Sequence, residues 1–157
     1  MVDTHSLCLL GRRQLKVLKL DGCPSVKVLF VCTGNACRSP LADALLKMLR
    51  PDIDVDSAGT YAYYKVIDLT RRYAEQEGAT KFLKNVPDSL ASKNLCDYDL
   101  IVAMETNHEE AIVRQSPECA DKVEVWHIID PYNLPYTQAQ QSFDKIKSKV
   151  AQLAKTL

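Results

Sequence analysis

The chain has 157 residues, the size of one domain with a single hydrophobic core. It carries 20 Lys and Arg residues against 20 Asp and Glu residues, so its formal net charge is zero. This balance argues against a nucleic-acid binder or a membrane-surface binder, because both normally carry a clear basic excess. No apolar run in the sequence reaches the length of a membrane-spanning helix.

The first residues and the cysteines favour a cytoplasmic, mostly reduced protein. The start of the chain lacks a clear secretory cleavage site, and no second cysteine pair at zinc-ribbon spacing accompanies Cys32 and Cys37. We therefore expect neither a metal site nor a cofactor. Residues 1–25 are predicted to be an N-terminal extension, separated by Gly22 and Pro24 from a domain over residues 26–157.

From residue 26 onward, apolar strand patterns alternate with amphipathic helix patterns. Strands are predicted at 26–31, 53–57, 99–104 and 123–126, and helices at 39–49, 67–78, 107–115 and near the C terminus, with a short helical turn at 84–94. In the first helix, Ser39 and Pro40 are typical of an N-cap and a first-turn proline. The alternation predicts βαβ units, and hence an α/β fold with a parallel sheet.

The first predicted strand runs directly into Cys32, a turn and Arg38. A cysteine is a nucleophile only as its thiolate, and backbone N–H groups that converge at a helix N terminus stabilise such an anion. Gly34 gives the turn conformational freedom, and the planar guanidinium of Arg38 can hold two oxygens of a phosphate. The order of a strand, a Cys-x5-Arg turn and the start of a helix predicts an ionised nucleophile inside a phosphate-binding site.

Thiolate attack on phosphorus would form a phosphocysteine, and the leaving oxygen would then need a proton. The candidate acid is Asp130, in a loop that Pro131 stiffens after the fourth predicted strand. Tyr132 and Tyr136 are candidate aromatic walls for a flat substrate.

The segment VLFVCTGNACRSPLADALL resembles the signature of the low-molecular-weight protein tyrosine phosphatases. The resemblance continues through 56–60, 99–104 and 130–132, in the order that the family has. It implies a four-stranded parallel sheet flanked by helices on both faces, no cofactor, and a phosphorylated protein as substrate. It assigns the catalytic roles to Cys32 as nucleophile, Arg38 as phosphate clamp and Asp130 as general acid.

The resemblance also implies roles for the other residues of the loop. The implied phosphate-binding set is Thr33, Gly34, Asn35, Ala36, Cys37 and Arg38. Asn35 would support the shape of the loop, Ser39 would donate a hydrogen bond to the thiolate, and Cys32 and Cys37 would form a reversible disulfide under peroxide. Tyr132 and Tyr61 are the expected substrate rim.

Departures from the family pattern keep alternatives open. Ala36 replaces the bulkier apolar residue of tyrosine-directed members and the threonine of phosphoarginine-directed relatives, so a protein phosphoarginine phosphatase is the first alternative. Arsenate reduction is disfavoured because Cys96 and Cys119 are far apart in sequence and Cys96 precedes the third strand. A non-catalytic phosphate-binding module is disfavoured by the presence of Asp130. The sequence predicts no particular oligomeric state.

Overall fold

The computed structural model describes residues 25–157, and a parallel sheet of four strands forms its centre. The strands are β1 (Lys27–Cys32), β2 (Asp54–Gly59), β3 (Leu100–Ala103) and β4 (Val123–Val125), in the order β2-β1-β3-β4. The predicted N-terminal extension lies outside the described residues except for Ser25. Its separation from the rest of the chain stays a prediction.

Helices cover both faces of the sheet, as predicted. They are α1 (Arg38–Leu49), α2 (Asp68–Gln76), α3 (Thr106–Gln115) and α4 (Tyr136–Thr156). Four short 3-10 helices span Thr80–Phe82, Leu90–Ser92, Leu95–Asp97 and Pro117–Lys122. Side chains of α1, α2 and α4 join the hydrophobic cluster on one face, and Ile112 of α3 joins the cluster on the other. No described helix is both long and apolar enough to cross a bilayer.

Strand β1 is the buried centre of the fold. Val28 and Phe30 point into the cluster that contains α1, whereas Leu29 and Val31 point into the cluster that contains α3. All four side chains are fully buried. The continuous apolar run in the sequence is therefore the pattern of a parallel strand that is covered on both faces.

The carboxyl end of β1 lies where the strand order reverses, since β2 is its neighbour on one side and β3 on the other. Open α/β sheets bind ligands at such a point. In the β1–β2 ladder Cys32 is opposite Gly59, and a Cβ atom added at Gly59 would lie 2.5 Å from the carbonyl oxygen of Thr33 and 2.7 Å from the amide nitrogen of Asn35. Only glycine at this position lets the turn after β1 pack over the end of β2.

The predicted N-cap of the first helix is wrong. Helix α1 begins at Arg38, so the cap position falls on Cys37, and no side chain caps it there. Ser39 lies inside the first turn instead. Its hydroxyl is 3.0 Å from the sulfur of Cys32 and accepts a hydrogen bond from Asn35. The hydroxyl therefore bonds the turn that precedes the helix and does not cap the helix.

A mostly reduced protein was expected, and Cys32 and Cys37 are free thiols, but the sulfurs of Cys96 and Cys119 are paired as a disulfide. Both residues lie in 3-10 helices that lead into β3 and β4, and these two strands are neighbours. The carboxylate of Glu118 lies beside the two sulfurs, all within 4.8 Å of one another. The pairing removes both thiolates as metal ligands. It also lies at the amino edge of the sheet, opposite to Cys32.

Candidate active site

Cys32 and Arg38 line one small cavity at the carboxyl edge of the sheet. The cavity has a volume of about 40 Å³, which is room for a group of a few heavy atoms. Its wall is formed by Cys32, Thr33, Gly34, Ala36, Cys37, Arg38, Tyr63, Ile67, Asp130 and Tyr132. Of the six predicted phosphate-binding residues, only Asn35 is not part of this wall, because it lies behind the turn.

The left-handed residue of the turn is Asn35, with φ 49°, whereas Gly34 has no positive φ. Asparagine tolerates this conformation better than other residues that carry a side chain. Gly34 matters for a different reason: a Cβ atom there would lie 3.1 Å from the ring of Tyr63, and the ring would have to shift. Gly34 therefore makes room for an aromatic side chain at the mouth of the cavity.

Behind the turn, a buried hydrogen-bond network reaches the sulfur of Cys32. Ser39 Oγ lies 3.0 Å from Cys32 Sγ, and Asn35 Nδ2 donates to Ser39 Oγ at 2.8 Å. Asn35 Oδ1 accepts from the backbone N–H of Asp88 at 2.8 Å and from Lys84 Nζ at 3.1 Å. Asn35 and Ser39 are fully buried. The side chains for which the resemblance implied a supporting role are thus in contact with the sulfur or with each other.

Arg38 is 1% exposed, and its guanidinium is held from one side. Nη1 donates to Glu105 Oε2 at 2.7 Å and to the carbonyl oxygen of Ile128 at 2.8 Å, and Nη2 lies 3.5 Å from Asp130 Oδ2. Nε is buried and has no hydrogen-bond partner within residues 25–157. A buried N–H without a partner is costly, and an anion in the cavity that Arg38 lines would satisfy it.

Two residues that sequence reasoning missed, Glu105 and His108, attach the start of α3 to both ends of the turn. Glu105 contacts Arg38, and His108 Nε2 lies 2.9 Å from Thr33 Oγ1. His108 Nδ1 accepts from the backbone N–H of Glu105, so Nε2 carries the proton and donates to Thr33. Burial and the nearby charge of Arg38 lower the pKa of His108 to about 4, which keeps the ring neutral. Glu105 and His108 also form a capping box, in which the side chain of each accepts from the backbone N–H of the other. His108 takes the position that is usually Glu or Gln.

Asp130 lies at the open side of the cavity with 47% of its side chain exposed. One carboxylate oxygen is near Arg38, and the other, Oδ1, accepts from the backbone N–H of Tyr132 at 3.0 Å. The structure thus brings the three predicted catalytic side chains to one cavity. Their roles remain predictions.

Only one of the two predicted rim residues lies at the cavity, and the rim itself stays a prediction. Tyr132 lines the cavity, but its partner is Tyr63, whose ring lies 6.1 Å from that of Tyr132 in an edge-on arrangement. Tyr61 faces a separate groove of about 380 Å³ beside α3. Tyr136 is not at the cavity either, because its hydroxyl pairs with Gln76 and its ring stacks on Arg72.

Cys37 lines the cavity next to Cys32, and both are free thiols. Burial raises the pKa of Cys37 to about 12, so this thiol is protonated at neutral pH. Cys37 is therefore a poor nucleophile at neutral pH. Their reversible disulfide stays a prediction.

Comparisons with known proteins agree with this geometry. The family model of the low molecular weight phosphotyrosine protein phosphatases matches residues 27–157. The chain belongs to this family. A putative low molecular weight protein-tyrosine-phosphatase of Klebsiella pneumoniae is 31% identical over 137 residues, which cover 81% of this chain and 91% of that protein.

Solved structures of two kinds of phosphatase share the fold of this family member. Wzb of Vibrio vulnificus, in complex with benzylphosphonate, has a TM-score of 0.77 and 28% identity, covering 84% of this chain and 99% of its own. The YwlE arginine phosphatase of Geobacillus stearothermophilus has a TM-score of 0.73 and 27% identity, covering 82% and 90%. The tyrosine phosphatase Wzb of Escherichia coli K30 also shares the fold, with a TM-score of 0.73 and 28% identity, covering 82% of this chain and 95% of its own, so the similar structures include a tyrosine phosphatase and an arginine phosphatase.

Proposed function

We propose that the protein dephosphorylates phosphotyrosine in proteins through a phosphocysteine intermediate, with Cys32, Arg38 and Asp130 as its catalytic residues. The observation that carries this proposal is the small cavity that the sulfur of Cys32 and the guanidinium of Arg38 line together, with the buried Nε of Arg38 lacking a partner. A phosphoryl group bound there would satisfy Arg38 and place phosphorus against the nucleophile.

In the first step, the thiolate of Cys32 attacks phosphorus, an S–P bond forms and the ester P–O bond breaks. Asp130, protonated, gives its proton to the leaving oxygen of the tyrosine. The charge that develops on the equatorial oxygens is stabilised by Arg38 and by the backbone N–H groups of the turn. Asp130 would have to turn away from Arg38 once phosphate occupies the cavity.

In the second step, the Asp130 carboxylate takes a proton from water while the water oxygen attacks phosphorus. The S–P bond breaks, phosphate is released, and the electron pair returns to the sulfur of Cys32. The hydroxyl of Ser39, 3.0 Å from that sulfur, donates a hydrogen bond to the departing thiolate. The water supplies the oxygen and the protons that the products gain.

Tyr63 and Tyr132 fit an aromatic substrate. Their rings meet edge-on above a cavity that is too small for more than the phosphoryl group, so the ring of phosphotyrosine would lie between or against them. The exposed position of the cavity mouth agrees with a phosphorylated side chain that is presented by a protein.

A protein phosphoarginine phosphatase is the second candidate, and Ala36 favours it. This small residue lines the cavity and leaves its wall open for a substrate other than an aryl phosphate. The fold-level likeness to an arginine phosphatase supports it further. Arsenate reduction by a cysteine relay is disfavoured, because the Cys96–Cys119 pair lies at the opposite edge of the sheet from Cys32.

The test is phosphate release in the presence of a chelator, from phosphotyrosine, phosphoserine and phosphoarginine peptides. Phosphotyrosine turnover is expected in the wild type, is lost in Cys32→Ser, and falls by about a hundredfold or more in Asp130→Ala. A preference for phosphoarginine would replace the substrate and keep the mechanism. Phosphate binding without turnover of any substrate would contradict the enzyme and leave a binding module.

A further inference from the structure

Asn35 lies behind the phosphate-binding turn in a backbone conformation that its neighbours must hold in place. Its φ is 49°, its side chain is fully buried, and all of its hydrogen-bond partners are side chains or backbone groups of other segments. Oδ1 accepts from Asp88 N–H and from Lys84 Nζ, and Nδ2 donates to Ser39 Oγ. Lys84 is the only one of these partners that carries a positive charge.

The hydrogen bonds from Lys84 to Cys32 run in one direction. An ammonium group can only donate, so Lys84 donates to Asn35 Oδ1 at 3.1 Å. The amide N–H₂ of Asn35 donates to Ser39 Oγ at 2.8 Å, which leaves the proton of Ser39 for Cys32 Sγ at 3.0 Å. Every donor then points toward the sulfur when the sulfur is a thiolate. Such chains polarise one another, and a charge at one end strengthens the whole chain.

Lys84 belongs to a cluster of four charged side chains, Lys84, Lys93, Asp56 and Asp88, and its partners in this cluster hold it in position. Lys84 Nζ lies 2.9 Å from Asp88 Oδ2 and 3.5 Å from Asp56 Oδ1, and it also donates to the carbonyl oxygen of Ser57 at 2.8 Å. Lys93 Nζ lies 2.6 Å from Asp56 Oδ2 and 3.0 Å from Asp88 Oδ2.

Both lysines are similarly buried, with 13% and 15% of their side chains exposed. Although burial raises the pKa of both aspartates, other interactions outweigh it and hold these pKa values below the ordinary range. For Asp56 they are hydrogen bonds from Lys93 and from the backbone N–H of Ser57, for Asp88 hydrogen bonds from both lysines, and for both the lysine charges. The cluster therefore contains two positive and two negative charges near neutral pH. Of the two lysines in the cluster, Lys84 donates a hydrogen bond to Asn35, whereas Lys93 donates to Asp56 and Asp88.

We propose that Lys84 is a positioning residue that favours the thiolate form of Cys32 by donating through Asn35 and Ser39. It does not touch the substrate and acts only through the chain of hydrogen bonds. The inference rests on the proposed function only in taking this thiolate as the nucleophile. Nothing in it depends on which phosphorylated side chain is the substrate.

The decisive measurement is the rate of Cys32 alkylation by iodoacetamide against pH, with the modified peptide identified by mass spectrometry. In Lys84→Met, which keeps the stem and removes the donors and the charge, the midpoint of this profile is expected to rise by about one pH unit, a tenfold lower thiolate fraction below the midpoint. Lys84→Arg, which keeps donors and charge, is expected to stay closer to the wild type.

Lys93→Met is the matched control. It removes the same charge from the same two aspartates at nearly the same burial, but it breaks no bond to Asn35. Its midpoint is expected to stay near that of the wild type. Equal shifts in Lys84→Met and Lys93→Met would overturn the proposal, because the effect would then belong to the cluster charge and not to the chain of hydrogen bonds.

The other titratable groups around Cys32 and the cluster are unchanged in all of these variants. Around the sulfur they are Cys37, Arg38, Asp130, Glu105, His108, Tyr63 and Tyr132. Next to the cluster they are Asp43, which accepts from Ser57, and Tyr98, whose pKa is raised by burial and by the charge of Asp56. Ser39→Ala removes the last donor in the series of hydrogen bonds from Lys84 to Cys32. It is expected to raise the midpoint of the alkylation profile at least as much as Lys84→Met. An unchanged midpoint in a folded Ser39→Ala would overturn the proposal even if Lys84→Met did not fold.

Alkylation needs no turnover, so the inference and the proposed function fail separately. If the wild type hydrolyses no phosphorylated peptide but Lys84→Met still raises the midpoint, only the proposed function is wrong. If phosphotyrosine is hydrolysed while Lys84→Met leaves the midpoint unchanged, only the inference is wrong.

Discussion

The back and the mouth of the phosphate-binding turn are built in different ways. At the back, Asn35 and Ser39 are fully buried and joined to each other by a short hydrogen bond. At the mouth, Tyr63 is 43% and Tyr132 is 47% exposed, and one edge-on ring contact connects them. The groups to which we assign binding and activation are thus held by buried hydrogen bonds, whereas the two aromatic rings that would meet the substrate are partly exposed and can adjust.

This difference separates chemistry from recognition. A rigid back keeps the nucleophile and the anion-binding N–H groups in place before the substrate arrives, which is the condition for efficient electrostatic stabilisation. An adjustable mouth can change its substrate preference without moving the loop. Changes at the back should therefore reduce kcat, and changes at the mouth should mainly affect KM.

The largest effect is expected at Gly59, where the back of the turn rests on β2. In Gly59→Ala, the new methyl group would meet backbone atoms of Thr33, Gly34 and Asn35 at 2.5–2.8 Å, and these atoms cannot move without displacing the loop. We expect kcat to fall by about a hundredfold, since a misplacement near 1 Å has that effect. The free energy of unfolding should fall by about 1–3 kcal/mol. Steady-state kinetics and urea unfolding measure the two.

Gly34→Ala is the comparison at the mouth. Its methyl group would meet only the ring of Tyr63, at 3.1–3.2 Å, and that ring is a partly exposed side chain that can shift. We expect a higher KM and a much smaller loss of kcat than in Gly59→Ala. Equal losses of kcat in the two variants would show that the mouth is as rigid as the back, contrary to the comparison above.

A moderate effect is expected from the tyrosines. Tyr63→Ala removes one wall of the cavity and its contact with Tyr132, and the KM for a phosphotyrosine peptide should rise about three- to tenfold, the size of an aromatic pair. Tyr61→Ala is the matched control, because Tyr61 is 78% exposed and faces the neighbouring groove. If Tyr61→Ala raised KM and Tyr63→Ala did not, the rim predicted from the sequence would be right after all.

The strand and the turn could be predicted from the sequence because local rules determine them, whereas the supporting roles of Asn35 and Ser39 were implied only by the family resemblance. A continuous apolar run predicted a central strand, and the spacing from Cys32 to Arg38 closes one turn before a helix. The sequence could not say which of Tyr61, Tyr63 and Tyr64 reaches the cavity, since all three lie in one loop. Backbone N–H groups of both Tyr61 and Tyr63 bond the turn, at Thr33 and Gly34, and only the ring of Tyr63 packs on Gly34 at the cavity, which is a tertiary contact.

Partners from distant segments were missed for the same reason. Glu105 lies 67 residues from Arg38 along the chain, and Lys84 lies 49 residues from Asn35. Neither has a local pattern that marks it, because a charged residue at a helix start or in a loop is usually solvated. Only the strand order β2-β1-β3-β4 brings the loops after these strands to the same turn.

The smallest effect on turnover is expected at the amino edge of the sheet. Cys96→Ser breaks the disulfide with Cys119, which was also missed because the two residues meet only through the pairing of β3 with β4. The disulfide closes a loop with a sequence separation of 23, so the oxidised wild type should be more stable than the variant by about 3 kcal/mol, and reduction should remove the difference. Urea unfolding with and without dithiothreitol measures this.

Phosphotyrosine turnover in Cys96→Ser should stay within about twofold of the wild type, as for a substitution that touches no part of the cavity. A loss as large as that of Gly59→Ala would mean that the two edges of the sheet are mechanically coupled. The rigidity of the back would then come from the whole sheet and not from the contacts of Gly59, Asn35 and Ser39. An unchanged turnover, together with the loss of stability, would locate that rigidity in the loop and the residues packed against it.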